Sequence, residues 1–153
     1  MKTRYLDKLK IDGRVCIVTG GGGLIGKKHA EAIVEGGGIP VLLDIVPTGM
    51  DRVKKELFEE YGDDVKIETF VTDITNRNAL CSVRDSLLKK YGHVDVLINN
   101  AANNPKVEDK SKNLLFNTFS SFPVDVWNQD IAVGLTGAML CAQVFGEIGR
   151  AHV

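Results

Sequence analysis

The stretch that most limits what this chain can fold into is Val15-Cys-Ile-Val-Thr-Gly-Gly-Gly-Gly-Leu-Ile-Gly26, where an apolar run of β character breaks into glycines and resumes with helical spacing. Bare backbone at Gly20, Gly21, Gly22 and Gly23 lets a phosphate approach the chain without meeting a Cβ. The helix that follows offers unpaired N–H groups and the positive end of its dipole. The spacing Gly20-x-x-Gly23-x-x-Gly26, placed between a strand and a helix, therefore predicts a cradle for the pyrophosphate of a dinucleotide. Asp44 ends the next apolar run, at the distance where a ribose-binding acid is expected.

Two other readings of the same glycines compete with this one. A plain flexible turn would also collect glycine, but it would not need the strand, the helix and the acid in this order. A nucleoside-triphosphate loop fits Gly21-x-x-x-x-Gly26-Lys27, yet the next position holds Lys28 where that loop needs a hydroxyl for magnesium.

Composition bounds the rest. The 153 residues are 44% hydrophobic and 25% charged, as in one globular domain with an ordinary core. A net charge of −1 gives no basic footprint, so nucleic acid and anionic membrane are not expected partners. Cys16, Cys81 and Cys141 are odd in number and widely spaced, which suggests neither a disulfide framework nor a metal site. They read as buried thiols in a reducing cytoplasm. Residues 1–14 are charged and lack an apolar leader core, and no apolar run is long enough for a bilayer, so a cytoplasmic protein is expected.

Along the chain, strands and helices alternate with short links, which predicts a parallel sheet covered on both faces: an α/β, doubly wound, Rossmann-type architecture. Strands are expected at residues 14–19, 39–45, 65–71 and 94–98, in the spatial order third, second, first, fourth. Helices are expected at 24–35, 50–61 and 76–91. In the first helix Leu24, Ile25, Ala30, Ile33 and Val34 form the expected apolar face, with Lys27, Lys28 and Glu31 toward water. Gly36, Gly37 and Gly38 end it. Residues 99–122 read as a long loop at the carboxyl ends of the strands, where open α/β sheets bind ligands, or as a surface excursion without a role. Residues 123–146 read as a helix apolar nearly all round, hence buried in a core or at a subunit contact.

Four separated motifs now carry a resemblance. Thr19-Gly-Gly-Gly-Gly-Leu-Ile-Gly26, Asp73-Ile74, Asn99-Asn-Ala-Ala102 and the helix from Trp127 to Gly137 together resemble the N-terminal part of a short-chain dehydrogenase/reductase, over essentially the whole chain. That resemblance implies cofactor binding at Thr19, Gly20, Gly22, Gly23, Leu24, Ile25, Gly26, Asp44, Ile45, Asp73, Ile74, Asn99 and Ala101. Asp73 would accept from the adenine amino group while Ile74 covers the ring; the alternative role for Asp73 is a helix cap. Asn99 and Ala101 would end the central strand where the nicotinamide ribose passes. A 2′-phosphate would meet Asp44 with no arginine in the next few residues, so NAD is expected rather than NADP. The resemblance further implies a small-molecule substrate and a homo-oligomeric full-length protein.

Departures from the family pattern bear on catalysis. Gly134 stands where the family's helix carries the asparagine of its catalytic tetrad. Ala132-Val-Gly-Leu-Thr-Gly137 with Asn103-Asn-Pro-Lys106 is similar to a subgroup linked to flagellin glycan or nonulosonic-sugar modification. Hydride transfer in the family relies on a Tyr-x-x-x-Lys pair and a serine, and Tyr5, Tyr61 and Tyr91 are followed four residues on by Leu9, Val65 and Asp95. No catalytic residue of that set is therefore assigned, and residues 1–147 are expected to be the cofactor-binding part of a longer protein.

The last residues, Glu147-Ile-Gly-Arg-Ala-His-Val153, are what GAG ATC GGA AGA GCA CAC GTC encodes, a string matching a widely used sequencing adapter, so 148–153 are expected to be a non-native tail. Two function classes stay open on sequence: an NAD-dependent oxidoreductase acting on a hydroxyl or ketone of a small, sugar-like molecule, and a non-catalytic nucleotide-binding or interaction module.

Overall fold

The structure, a computed structural model, describes residues 9–103, 120 and 122–149. Most of the expected loop and residues 150–153 of the expected tail lie outside the described residues. Four parallel strands, β1 (Val15–Thr19), β2 (Ile39–Asp44), β3 (Glu68–Val71) and β4 (Val96–Ile98), form one sheet in the order β3-β2-β1-β4. Helices α1 (Leu24–Glu35), α2 (Pro47–Tyr61) and α3 (Arg77–Tyr91) connect them. After β4 come α4 (Val124–Ile131), a π-helical stretch (Ala132–Gly137) and α5 (Ala138–Gly149), in one continuous run. The expected Rossmann-type sheet and its strand order are present.

Alternation along the strands sorts the core into two layers. Val15, Ile17, Val41 and Leu43 point to one face and pack with Leu80, Val83 and Leu87 of α3 and Cys141, Val144 and Phe145 of α5. Cys16, Val18 and Leu42 point to the other and pack with Ala30 and Ile33 of α1 and Met50, Val53 and Leu57 of α2. Both faces of β1 and β2 are dry, which is why these strands read as unbroken apolar runs.

Three strands begin later than their apolar patterns suggest, and each start has a local cause. At β1 and β4, the Asp95 backbone N–H donates to the Val15 carbonyl at 3.0 Å, but the Val15 N–H goes to the Asp95 carboxylate at 2.8 Å, which also meets Arg14 and His93, so a side chain takes the place of one backbone partner at the start of the ladder. At β3, pairing starts with Val41 opposite Glu68. The even residues of β2 face β3, as the bond from Thr72 N–H to the Asp44 carbonyl shows, and Pro40 has no N–H to give on that side. β2 ends at Asp44, leaving Ile45 exposed beyond it.

The helices depart from expectation in four places. α2 starts at Pro47 rather than Met50, because proline at the first helical position loses no bond the helix would have made. Leu24 and Ile25 are 78% and 63% exposed and are not part of the α1 apolar face, which is Gly26, Ala30 and Ile33. Lys27 does not face water freely: its Nζ lies 2.7 Å from Glu56 on α2 and 3.5 Å from Glu31, tying α1 to α2. The long final helix is not apolar on a buried surface all round. Cys141, Val144 and Phe145 are buried, whereas Val124, Trp127, Ile131, Leu135 and Met139, spaced three and four apart, form an exposed stripe, since among the described residues only one face has a sheet to pack on.

The glycines after α1 do more than end it. Ile11 N–H donates to the Gly36 carbonyl at 2.9 Å and Gly13 N–H to that of Gly37 at 2.8 Å. Gly37 holds a φ of +81°, and a Cβ there would overlap the Asp12 carboxylate. The turn is thus a notch that docks the segment leading into β1.

Candidate functional site

All the sequence-predicted site residues gather at the carboxyl ends of the four strands, the edge where a doubly wound sheet binds ligands, with the switch of strand order between β1 and β4. The loop from Thr19 to Gly26 occupies that switch point. Gly20 has a φ of +66°, and its missing Cβ would stand 3.0 Å from the Ala101 Cα. Gly21 donates to the Leu43 carbonyl at 3.1 Å, and a Cβ on it would come within 2.6 Å of the Leu42 Cβ. A Cβ on Gly26 would overlap the Gly20 carbonyl oxygen, so this glycine lets α1 close onto the loop.

Gly23 differs from these three. Its φ of −82° and ψ of 174° suit any residue, and a Cβ would find only the Gly20 carbonyl, at 3.3 Å. It precedes α1, which begins without a side-chain cap. The backbone here does not require glycine, and beyond that one tight contact a Cβ would meet nothing, which leaves room for an anion beside the uncapped N–H groups of α1.

Thr19 lies behind the cradle, fully buried. Its hydroxyl oxygen accepts the backbone N–H groups of Asn100 and Ala101, each at 3.0 Å, clasping the end of β4 to the end of β1. Asn100, which sequence reasoning passes over, completes the clasp by donating Nδ2 to the carbonyls of Thr19 at 2.9 Å and Gly20 at 3.3 Å. Asn99 is exposed and reaches the Ala138 carbonyl at 3.5 Å, and Asn103 donates to Asp130 at 3.0 Å, so the segment after β4 is tied to the final helices.

Asp44 sits at the end of β2 with both carboxylate oxygens engaged by backbone: Oδ2 accepts from Gly22 N–H at 3.0 Å and Oδ1 from Val46 N–H at 2.9 Å. A carboxylate oxygen has a second lone pair, so each can still accept from a hydroxyl. Arg52, a second residue that sequence reasoning misses, donates Nη2 to the Gly22 carbonyl at 3.2 Å.

Asp73 is exposed past β3, its Oδ1 accepting from the Thr75 N–H at 2.8 Å and hydroxyl at 2.7 Å. The cap of α3 is Asn76, whose side chain accepts from Asn78 and Ala79 N–H, so the capping role open to Asp73 belongs to its neighbour. Ile74 is buried against Gly137. Gly134 lies in the π-helical stretch, and a Cβ there would meet nothing within 4 Å. Among the described residues no group of acidic, histidine or cysteine side chains is arranged to hold a metal, and no helix is long and apolar enough to cross a membrane.

Residues 14–148 match the family described as short chain dehydrogenase. The chain belongs to that family. Among its relatives is an uncharacterized oxidoreductase of Thermotoga maritima, 34% identical over 141 residues that make up 90% of this chain and 48% of that protein. Another is an NADP-dependent mannitol dehydrogenase of Alternaria alternata, 32% identical over 94% of this chain and 51% of that one. The crystal structure of an NAD+-bound xylitol dehydrogenase superposes with a TM-score of 0.80 at 26% identity, covering 94% of this chain and 50% of that chain. The chain thus spans about half the length of the family members it matches. Family membership fits the fold, a parallel sheet in the order β3-β2-β1-β4 with a glycine loop at its switch point.

Proposed function

We propose that this chain is the cofactor-binding part of an NAD-preferring oxidoreductase that interconverts a hydroxyl and a ketone on a small, sugar-like molecule. A bound nicotinamide would supply the hydride acceptor or donor, with the alcohol proton passing to or from solvent or a base. Gly20 to Gly26 would take the pyrophosphate, Asp44 the hydroxyls of the adenine ribose, Asp73 the adenine amino group, and the turn at Asn99 and Ala101 the nicotinamide ribose. Sugar-alcohol and NAD or NADP names among the relatives support the substrate class without choosing the cofactor.

The observation that carries the NAD preference is the doubly anchored Asp44 carboxylate at the end of β2. Fixed in place, it can accept from both ribose hydroxyls, and it cannot swing away from a 2′-phosphate. A 2′-phosphate would set two like charges side by side there, while the Arg52 guanidinium is engaged by the Gly22 carbonyl. Fluorescence titration of the purified protein should give a much lower Kd for NADH than for NADPH, and Asp44→Ala should shrink the gap. Equal affinities in the unaltered protein would refute the preference.

A second reading, a nucleotide-binding module without chemistry, is favoured by Gly134, which stands where the family's helix carries its tetrad asparagine. Both readings assign to these residues NADH binding without turnover; a longer chain carrying a Tyr-x-x-x-Lys pair, assayed for NAD-linked oxidation of polyols, separates them. The exposed stripe of Val124, Trp127, Ile131, Leu135 and Met139 supports a homo-oligomeric full-length protein, and a cytoplasmic location remains part of the proposal.

A further inference from the structure

We propose that Arg52 is a positioning residue for the ribose-binding carboxylate, acting on Asp44 through Gly22; the proposal rests on the reading of Asp44 given above. Gly22 is gripped at both ends. Its N–H donates to Asp44 Oδ2 at 3.0 Å, and its carbonyl accepts from Arg52 Nη2 at 3.2 Å, from 30 residues further along the chain. Because the other carboxylate oxygen is held by the Val46 N–H, the plane of the carboxylate follows the position of Gly22. That position is fixed from the α2 side.

The first turn of α2 closes on Gly22 without slack. A Cβ on Gly22 would stand 2.9 Å from the Met50 nitrogen and 3.0 Å from the Gly49 carbonyl carbon, and a Cβ on Gly49 would stand 3.1 Å from the Gly22 oxygen. Arg52 lies three residues after Gly49, hence on the same side of the helix, and its guanidinium reaches over this contact to the carbonyl. Asp44, Gly22 and Arg52 therefore form one chain of bonds from the end of β2 across the glycine loop to α2. If Arg52 acts through Asp44, its loss should weaken NADH more than NADPH, because only the unphosphorylated ribose offers the carboxylate a 2′-hydroxyl.

The test titrates NADH and NADPH into the purified protein and into Asp44→Ala, Arg52→Met, Arg52→Lys and the double variant Asp44→Ala with Arg52→Met, following nicotinamide fluorescence and melting temperature. Methionine keeps the packing of the stem and removes the donor. Loss of one charge-assisted bond predicts an NADH Kd raised on the order of three- to ten-fold in Arg52→Met, with NADPH changed by less than about two-fold. Arg52→Lys should recover most of the NADH affinity, and Arg52→Met should move neither cofactor further once Asp44 is alanine.

A larger loss for NADPH than for NADH would make Arg52 a direct phosphate ligand and overturn the proposal. Equal losses with a lower melting temperature would make it a structural prop and overturn the proposal equally, and so would an Arg52→Met protein that binds both nucleotides unchanged. If Asp44→Ala narrows the preference and Arg52→Met does not, only this proposal fails. If Asp44→Ala leaves the preference unchanged, or neither nucleotide binds, the Asp44 reading fails and takes this one with it.

Discussion

Gly137 and Ile74 leave no room for a methyl group between them: a Cβ on Gly137 would stand 2.7 Å from Ile74 Cδ1 and 2.8 Å from its Cγ1. The end of the π-helical stretch is thereby seated on the turn that follows β3, and the segment bearing Asp73 is fixed against the helix bearing Gly134. Glycine in a helix ordinarily costs about 1 kcal/mol against alanine. Here overpacking opposes that gain, at roughly 1–3 kcal/mol. Gly137→Ala should accordingly lower the melting temperature, and the loss should be smaller in an Ile74→Ala background, where both near carbons have been removed. A stabilised Gly137→Ala protein would show that the two elements can slide apart.

Thr19 holds the ends of two strands with one side chain. Thr19→Val keeps the shape but leaves the N–H groups of Asn100 and Ala101 without their buried acceptor, at about 1–3 kcal/mol each. Thr19→Ser keeps the oxygen and gives up one methyl, about 1 kcal/mol. Urea denaturation should therefore rank the native protein above Thr19→Ser and Thr19→Ser well above Thr19→Val.

Much of this is legible in the sequence alone. The glycine spacing, the acid at residue 44 and the unbroken apolar runs of β1 and β2 each reflect a local requirement, so they place the cradle and order the sheet. What escapes depends on partners distant in sequence. Nothing near Arg52 marks it as reaching Gly22, and Asn100 looks like any strand-end asparagine until Thr19 is seen opposite it. The late start of β1 needs Asp95, 80 residues on, to take the Val15 N–H. The π-helical stretch has no residue pattern of its own, and the exposed half of the final helix looks apolar because its sequence is apolar whether or not that face is covered.

The cysteines give a chemical check of the core. Burial pushes the Cys16 thiol up to about 11, with the Asp95 charge adding to it, and burial pushes Cys141 up to about 11 as well. Both are fully buried, while Cys81 is partly exposed. Thiolate is the reactive form. Ellman's reagent at pH 8 should therefore find one reactive thiol, Cys81, in the folded protein and all three in denaturant.

Glu68 links stability to acid. Burial is the largest single influence and raises its pKa, but bonds from Lys90 and Tyr91, both 2.6 Å, together outweigh it and hold the carboxyl below its ordinary 4.5. A carboxylate depressed in the folded state stabilises the fold above the unfolded value, and that contribution is lost as pH falls through the folded one. The melting-temperature gap between the native protein and Glu68→Gln should be constant near neutral pH and close below pH 4.5. A gap that persists in strong acid would mean that packing, and not charge, holds this corner.

Gly23 and Gly26 separate what the loop needs in order to fold from what it needs in order to bind. Alanine at Gly26 would drive its Cβ into the Gly20 carbonyl and force α1 away from the loop, so stability and nucleotide affinity should fall together. Alanine at Gly23 adopts its backbone conformation without strain and presses the Gly20 carbonyl only at 3.3 Å, so it should cost far less stability than Gly26→Ala, about 1 kcal/mol or less. Its methyl would instead occupy the space left beside the first turn of α1, where the pyrophosphate is proposed to sit. Gly23→Ala should bind NADH at least roughly ten-fold more weakly, the equivalent of about 1.4 kcal/mol, with a much smaller drop in melting temperature than Gly26→Ala. Undiminished binding by Gly23→Ala would place the phosphates elsewhere along the loop; a melting temperature lowered as far as that of Gly26→Ala would show that Gly23 belongs to the fold after all.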